Sequence, residues 1–216
     1  MTPLRKRLII YVMLKLTKNR SIALGILGLN AAAVLLPFTA SGDTQTSNTA
    51  VNLTVNPVII SYSSGPTVTL GAITPDATGK QSTASDTVTA NTNDTAGFTV
   101  TLKENSATVN DMVSGGNSIT NGTGTPAAPA ALTNNHWGWR VDSLSGFGAG
   151  PGGVLSNAAP SALTYAGIPA NGSPFTINTT ATTGSASTTV WYSARVSSAQ
   201  PIGAYTTTVT YTITTN

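Results

Sequence analysis

Two runs of alternating residues near the C-terminal end restrict the fold of this chain more than any other sequence feature. The apolar positions of the first run are Val190, Tyr192, Ala194 and Val196. In the second run, from 205 to 214, every even position is a threonine and every odd position is aromatic or β-branched. Because successive side chains of a strand point to opposite faces, each run predicts a half-buried strand. The Pro- and Gly-containing link at 197–203 predicts a turn, so we expect the two strands to form an antiparallel pair.

Shorter β-type runs with Gly, Pro and Asn between them occur throughout the rest of the chain. We predict strands near residues 51–55, 58–62, 67–71, 87–90, 97–104, 136–142, 162–165 and 174–179. A turn at 91–95 is expected to pair the fourth of these strands with the fifth. Hardly any window has the spacing of an amphipathic helix. The pattern predicts an all-β fold, a single antiparallel, immunoglobulin-like β-sandwich, with long loops near 105–131 and 143–160.

The first 42 residues have the three parts of a secretory signal. A basic region is followed by an apolar stretch at 22–38 and by the small residues Ala40, Ser41 and Gly42. We interpret residues 1–42 as a signal peptide that is removed by cleavage after Gly42, which leaves one β-domain at 43–216. The alternative is a retained membrane anchor, but the apolar stretch is shorter than the ~20 residues of a spanning helix. We therefore expect a secreted protein at the cell surface, with no membrane contact once the signal is removed.

The charge distribution argues against nucleic-acid binding. Six of the ten basic residues precede position 21, whereas residues 43–216 contain four basic and seven acidic residues, a net charge of −3. Such a domain lacks the basic surface that nucleic acids require. Charged residues make up 8% of the chain, against about 25% in an average soluble protein. The Thr, Ser and Asn side chains that replace them suit hydrogen bonding to polysaccharide or to other protein subunits.

The sequence predicts neither an enzyme nor a metal or cofactor site. It contains no cysteine and a single histidine, His136, which excludes disulfides, thiolate metal sites and the usual zinc sites. No Gly-x-Ser-x-Gly motif accompanies His136, so we interpret it as a residue at the start of a strand. The Asn and Asp residues at 91–94 and 110–111 lack the spacing of a calcium loop and are interpreted as turn residues.

The three tryptophans are the candidate binding residues. Trp137 and Trp139 are separated by one residue and therefore share a face of their strand. Trp191 lies on the opposite face from Val190 and Tyr192. Exposed aromatic side chains stack on sugars or on partner proteins. The alternative for the 137/139 pair is a place in the core, as for many tryptophans of β-sandwiches.

Two parts of the chain resemble the WxL domain of Gram-positive cell-surface proteins. The first part comprises residues 71–75, 87–91 and 97–102, and the second comprises residues 203–213. In that family, two short strands precede a Gly-Trp-x-Leu motif, and a second Trp-x-Leu motif lies in the closing strand. The order, spacing and terminal position agree.

The resembled motifs are present here with other residues. Phe98 and Val100 stand where the first motif has tryptophan and leucine, and Tyr211 and Ile213 stand at the second. The resemblance implies a sandwich fold and association with the cell wall. At these four positions it implies a structural role, which holds the fold closed, and it places the closing strand centrally in the sandwich.

We therefore expect a non-catalytic structural or adhesion protein of the cell surface or cell wall, whose partners are cell-wall polysaccharide or other surface proteins. Two alternatives remain open. In the first, the protein is a subunit of an extracellular filament, and the stretch Val51-x-Leu53-x-Val55 is a strand donated to the next subunit. In the second, it is a carbohydrate-binding module that uses Trp137, Trp139 and Trp191.

Overall fold

The computed structural model describes residues 50–56, 58–63, 67–106 and 110–216. The chain divides into two units, Met1–Asn52 and Leu53–Asn216, and every strand described below belongs to the second. The predicted signal peptide lies outside the described residues. No α-helix occurs in the described part of the chain, and so none there is long and apolar enough to cross a membrane.

The described chain contains twelve strands. They are β1 (Ile59–Ser63), β2 (Lys80–Thr92), β3 (Phe98–Glu104), β4 (Met112–Ser114), β5 (Asn117–Asn121), β6 (Ala130–Ala131), β7 (His136–Val141), β8 (Leu155–Ala158), β9 (Thr164–Tyr165), β10 (Phe175–Thr180), β11 (Gly184–Val196) and β12 (Val209–Thr215). The predicted all-β class is confirmed. The long loops predicted near 105–131 and 143–160 contain the short strands β4, β5, β6 and β8.

These strands form sheets that are mostly antiparallel. The larger sheet has the order β1-β2-β11-β7-β5-β4, with β8 beside β2, and the smaller one has the order β10-β3-β12. A separate two-stranded sheet joins β6 to β9. Only the β5–β7 pairing among the described strands is parallel. The longest ladder joins β2 to β11 over thirteen residue pairs, so these two strands form the centre of the larger sheet.

The larger and the smaller sheet share one buried apolar cluster. The predicted apolar face of β11 is confirmed, because Val190, Tyr192, Ala194 and Val196 are all buried. They pack in the same cluster as Phe98, Val100 and Leu102 of β3 and Ile177 of β10. The apolar rows of strands that are distant in sequence therefore bury one another.

Two predicted strand pairings are wrong, that of β11 with β12 and that of residues 87–90 with residues 97–104. β11 pairs with β2 and β7, whereas β12 pairs with β3 in the other sheet, so the link at 197–208 connects two sheets. The turn at 93–97 likewise leads from β2 in one sheet to β3 in the other. The closing strand β12 lies at the edge of the smaller sheet, and the prediction that it is central is also wrong. Each pair of consecutive strands carries an apolar face, and placing the two strands in different sheets allows those faces to be buried together.

The outer face of the larger sheet is covered at its centre by polar contacts. Ser193 of β11 and Thr83 of β2 are buried, with 2.9 Å between their hydroxyl oxygens. Gln81 donates to Ser193 Oγ at 2.9 Å, and its amide nitrogen lies 3.4 Å from the Tyr165 hydroxyl. The segment that contains Tyr165 and Ala166 covers this face. A Cβ at Gly138 of β7 would lie only 2.5 Å from the Ala166 carbonyl oxygen, so glycine at this position lets the segment approach β7. The face of β11 opposite its apolar row is therefore polar but partly buried.

Candidate functional site: a cavity between the two sheets

The structure places Trp137 and Trp139 in the core. Their exposed fractions are 2% and 0%, and their indole nitrogens donate to the carbonyl oxygens of Asn110 (3.0 Å) and Gly167 (2.9 Å). Trp139 also packs against the rings of Phe147 and Phe175, with centroids 5.4 Å and 5.7 Å away. The two side chains do share one strand face, as predicted, but that face is internal. Neither indole is accessible for stacking on a ligand at the surface.

Trp191 lies on the other face of its strand and is half-buried. Its Nε1 donates to Asp142 Oδ2 at 3.2 Å, and Asp142 Oδ1 lies 3.3 Å from Arg140 Nε. Of the three tryptophans, Trp191 alone retains solvent access. Its role in binding stays a prediction.

The four positions of the resembled motifs lie on two neighbouring strands. In the β3–β12 ladder, Val100 is opposite Ile213 and Leu102 is opposite Tyr211. Phe98 and Val100 are fully buried, whereas Tyr211 and Ile213 pack against the core from the edge strand. The structure thus brings the two motifs together, although the sequence separates them by more than 100 residues.

His136 is at the first position of β7, as predicted. Its Nδ1 lies 2.9 Å from both Thr133 Oγ1 and the Asn134 carbonyl oxygen, so its contacts are local. Among the described residues, no group of three or more His, Asp and Glu side chains is arranged to hold a metal ion.

The candidate site is a cavity of about 480 Å³ at the open end of the space between the two sheets. Asp86, Trp137 and Tyr192 line it from the larger sheet, and Val209 and Tyr211 line it from β12. The remaining described lining comes from the segment 67–70, from Met112 and from residues 205–208. The cavity is lined by hydroxyl groups, one carboxylate and apolar side chains. His136 is not among the lining residues.

Two carboxylates near this cavity were not predicted as site residues. Asp86 occupies an inward position of β2, two residues before the buried Val88, and is itself buried. Glu104 ends the inward row of β3 that begins at Phe98, and it is 1% exposed. A signal for both was present in the sequence, since each acid continues an apolar row at period two. An acid at such a position is an exception to core composition and marks a candidate site.

A pair of tyrosines connects the two sheets beside these acids. The hydroxyl oxygens of Tyr192 and Tyr211 lie 2.6 Å apart, and Tyr211 is within hydrogen-bonding reach of Asp86. Burial raises the pKa of both phenols above the usual value, and the nearby Asp86 carboxylate raises it further. Both phenols therefore stay neutral at physiological pH and act as hydrogen-bonding groups.

Glu104 has one satisfied and one unsatisfied carboxylate oxygen. Thr207 donates to Oε1 at 2.9 Å, whereas Oε2 is buried without a hydrogen-bond partner among the described residues. Burial raises the pKa of Glu104, and the hydrogen bond from Thr207 and the backbone N–H groups of Ser106 and Asn105 oppose this shift only in part. The ionised form is therefore disfavoured in the folded protein.

We expect Glu104→Gln to stabilise the protein near neutral pH by on the order of 1 kcal/mol. A carboxyl group whose pKa is raised on folding binds more protons in the folded than in the unfolded state. The stability of the wild-type protein should therefore fall as the pH rises from the ordinary value of 4.5 through the raised folded value. Urea unfolding of both proteins across the acid-to-neutral range measures this. The gain should vanish at acid pH, and an equal pH dependence in the two proteins would contradict the assignment.

The cavity offers hydrogen-bond donors and acceptors from its hydroxyl groups and from Asp86, together with an apolar surface. Comparisons with protein-family models, with curated proteins and with solved structures find no match for this chain. The resemblance to WxL domains stays a prediction.

Proposed function

We propose that this protein is a secreted, non-catalytic structural protein of the cell surface, folded as a single β-sandwich, whose copies assemble through a donated N-terminal strand. The sandwich is supported by the single apolar cluster shared by the larger and the smaller sheet. The non-catalytic role is supported by the sequence, in which the single histidine, His136, is not accompanied by a Gly-x-Ser-x-Gly motif. Secretion is supported by the composition of residues 1–42.

The observation that carries the proposal is the exposure of three alternating apolar side chains. Val51, Leu53 and Val55 are 90%, 86% and 71% exposed, and residues 50–56 belong to no strand. Full burial of a valine or leucine side chain contributes about 1.5–3 kcal/mol. Apolar residues at every second position are the pattern of a strand with one buried face. This segment therefore has the composition of a β-strand that obtains its partner from another molecule.

The test is the assembly state of the full chain and of two matched variants. Leu53→Asp places a charge on the apolar face of the segment and should abolish polymers in electron micrographs. Thr54→Asp places the same charge on the opposite face and should leave the polymers intact. Deletion of residues 43–55 should give a folded monomer. Polymers that persist in Leu53→Asp, or a wild-type chain that stays monomeric at all concentrations, would refute the assembly proposal.

Cell fractionation tests the location independently. We expect the protein in the medium, the cell wall or a filament fraction. Recovery in the cytoplasm of the native host would contradict secretion without bearing on the assembly of the purified chain.

A second candidate function is polysaccharide binding at Trp191. A half-exposed indole beside the partly exposed carboxylate of Asp142 offers a stacking face and a hydrogen-bond acceptor to a sugar. We expect Trp191→Ala to reduce binding to purified cell walls several-fold while the melting temperature stays within a few degrees. Thr189→Ala, on the same strand face, serves as the control. Equal retention of wild-type and Trp191→Ala proteins on cell walls would remove this residue from any binding site.

A further inference from the structure

The free edge of β12 has the backbone groups that a donated strand requires. The Thr208 carbonyl accepts from Asn105 N–H at 3.0 Å, and Asn216 N–H donates to the Gly97 carbonyl at 3.3 Å. The backbone N–H and C=O groups at the even positions of β12 therefore point toward β3 and the residues on either side of it. Successive backbone groups of a strand alternate in direction, and the β3–β12 register is continuous. The N–H and C=O groups of Val209, Tyr211 and Ile213 therefore point away from β3. No described strand pairs with this edge, although β1 of the larger sheet packs close to β12.

The cavity between the two sheets adjoins this edge of β12. A segment without a sheet partner forms part of its wall. Residues 67–70 alternate as strands do, with Val68 and Leu70 half-buried and Thr67 and Thr69 more exposed. We predicted a strand here, but the described chain has none at these residues. The segment 67–70 and the start of β12 both line the cavity, and neither is paired to the other.

We propose that the free edge of β12 and the adjoining cavity together form the acceptor for residues 51–55 of a second copy of this chain. The inference rests on the proposed function and names the surface that this function needs. The incoming strand would extend the smaller sheet by backbone hydrogen bonds to the odd positions of β12. Its alternating apolar side chains, about 6.8 Å apart, would enter the space lined by Val68, Leu70 and Met112.

Charge and tethering agree with this assignment. Residues 50–58 and 205–215 contain no charged side chain, so pairing them buries no ion. The donor segment is anchored at its C-terminal end, since Val58 N–H donates to Asn93 Oδ1 at 2.6 Å and Asn93 Nδ2 donates to the Asn56 carbonyl at 3.1 Å. The apolar residues before this anchor stay exposed in the single copy. A second copy is therefore the occupant that the structure favours.

The absence of cysteine makes a cross-linking test specific. Full-length Leu53→Cys is mixed with full-length Val209→Cys and treated with a short thiol-specific cross-linker, so that the exact register need not be known. The control acceptor is Thr176→Cys, an exposed position on β10 at the opposite edge of the same sheet. We expect the 53–209 dimer to form in several-fold higher yield than the 53–176 dimer. Because each protein carries one thiol, every product of unequal partners is intermolecular.

A second pair of variants tests the backbone contribution. Val209→Pro removes an N–H that points away from β3, whereas Val209→Ala removes only side-chain contacts. With equal melting temperatures, the proline variant should assemble at least tenfold less well than the alanine variant. If Val209→Pro fails to fold, the cross-linking yields alone decide.

The outcomes separate the acceptor from the proposed function. Loss of polymers in Leu53→Asp together with preferred cross-linking to position 176 overturns the β12 acceptor and leaves strand donation standing. Equal yields at 209 and 176 also overturn the acceptor. Absence of both polymers and cross-links overturns the acceptor and the assembly proposal together.

Discussion

Replacing Arg140 by methionine is expected to destabilise the fold by about 3 kcal/mol, because it removes the donor for four buried or partly buried carbonyl groups at once. The Arg140 side chain is fully buried in β7. Its guanidinium donates to the carbonyl oxygens of Thr164, Phe147 and Gly148 at 3.2, 2.9 and 3.0 Å, and also to that of Ala149. It thereby holds the loop after β7 against the sheet. Urea unfolding measures the loss.

A surface ion pair supplies the control for Arg140→Met. Lys80 Nζ lies 3.1 Å from Asp76 Oδ2, and both side chains are partly exposed. Lys80→Met also removes one positive charge but should change the stability by less than about 1 kcal/mol. Equal losses of stability in the two variants would show that the hydrogen bonds of Arg140 do not hold the loop after β7 against the sheet.

Trp139→Ala is expected to destabilise the protein by about 3–5 kcal/mol. The indole is inaccessible to solvent, packs between two phenylalanine rings, and satisfies the Gly167 carbonyl. Its loss leaves both a cavity and an unsatisfied acceptor. Thermal or urea unfolding gives the magnitude, and at this cost part of the variant protein is expected to be unfolded at 37 °C.

Trp191→Ala is the matched control, because it removes the same side chain from the half-buried outer face of β11. Its cost should be no more than about 1 kcal/mol. The comparison also serves the binding experiment. Weaker binding to cell walls by Trp139→Ala would report on folding, whereas weaker binding by Trp191→Ala would report on the surface. Equal destabilisation by the two substitutions would contradict the assignment of Trp139 to the core.

Strands whose buried face is apolar were predictable, whereas a strand with buried polar side chains was not. The alternation in β11 and β3 predicted both the strands and their inner faces. Only the second half of β2 was predicted, because residues 80–86 carry no large apolar side chain. The structure buries Gln81, Ser82 and Thr83 there through hydrogen bonds to Ser193, Tyr165 and Asn157. Such burial depends on partners about 75 to 110 residues away, which no local pattern contains.

The candidate site was predictable to a smaller degree. Glu104 ends the apolar row of a predicted strand, whereas Asp86 lies one residue before the predicted strand at 87–90, in line with its apolar positions Val88 and Ala90. That Asp86 lines a cavity bounded on its other side by Val209 and Tyr211 follows only from the placement of β2 and β12 in different sheets. The predicted strand at 51–55 is absent, since residues 50–56 belong to no strand and Val51, Leu53 and Val55 are exposed. Alternation alone does not determine whether an apolar row finds a partner in its own molecule.

The sequence by itself determined the all-β class and the apolar faces of the strands that it predicted correctly, such as β3 and β11, because side-chain alternation is a local property of extended backbone. Only the tertiary structure decided which strands pair. The alternating run at 205–214 has the same local pattern whether it joins β11 in a hairpin or crosses to β3. The crossing arrangement packs the partly buried apolar row of β12 against the core that contains the buried row of β11, with Tyr192 against Tyr211. The same choice leaves β12 at an edge of the smaller sheet among the described strands.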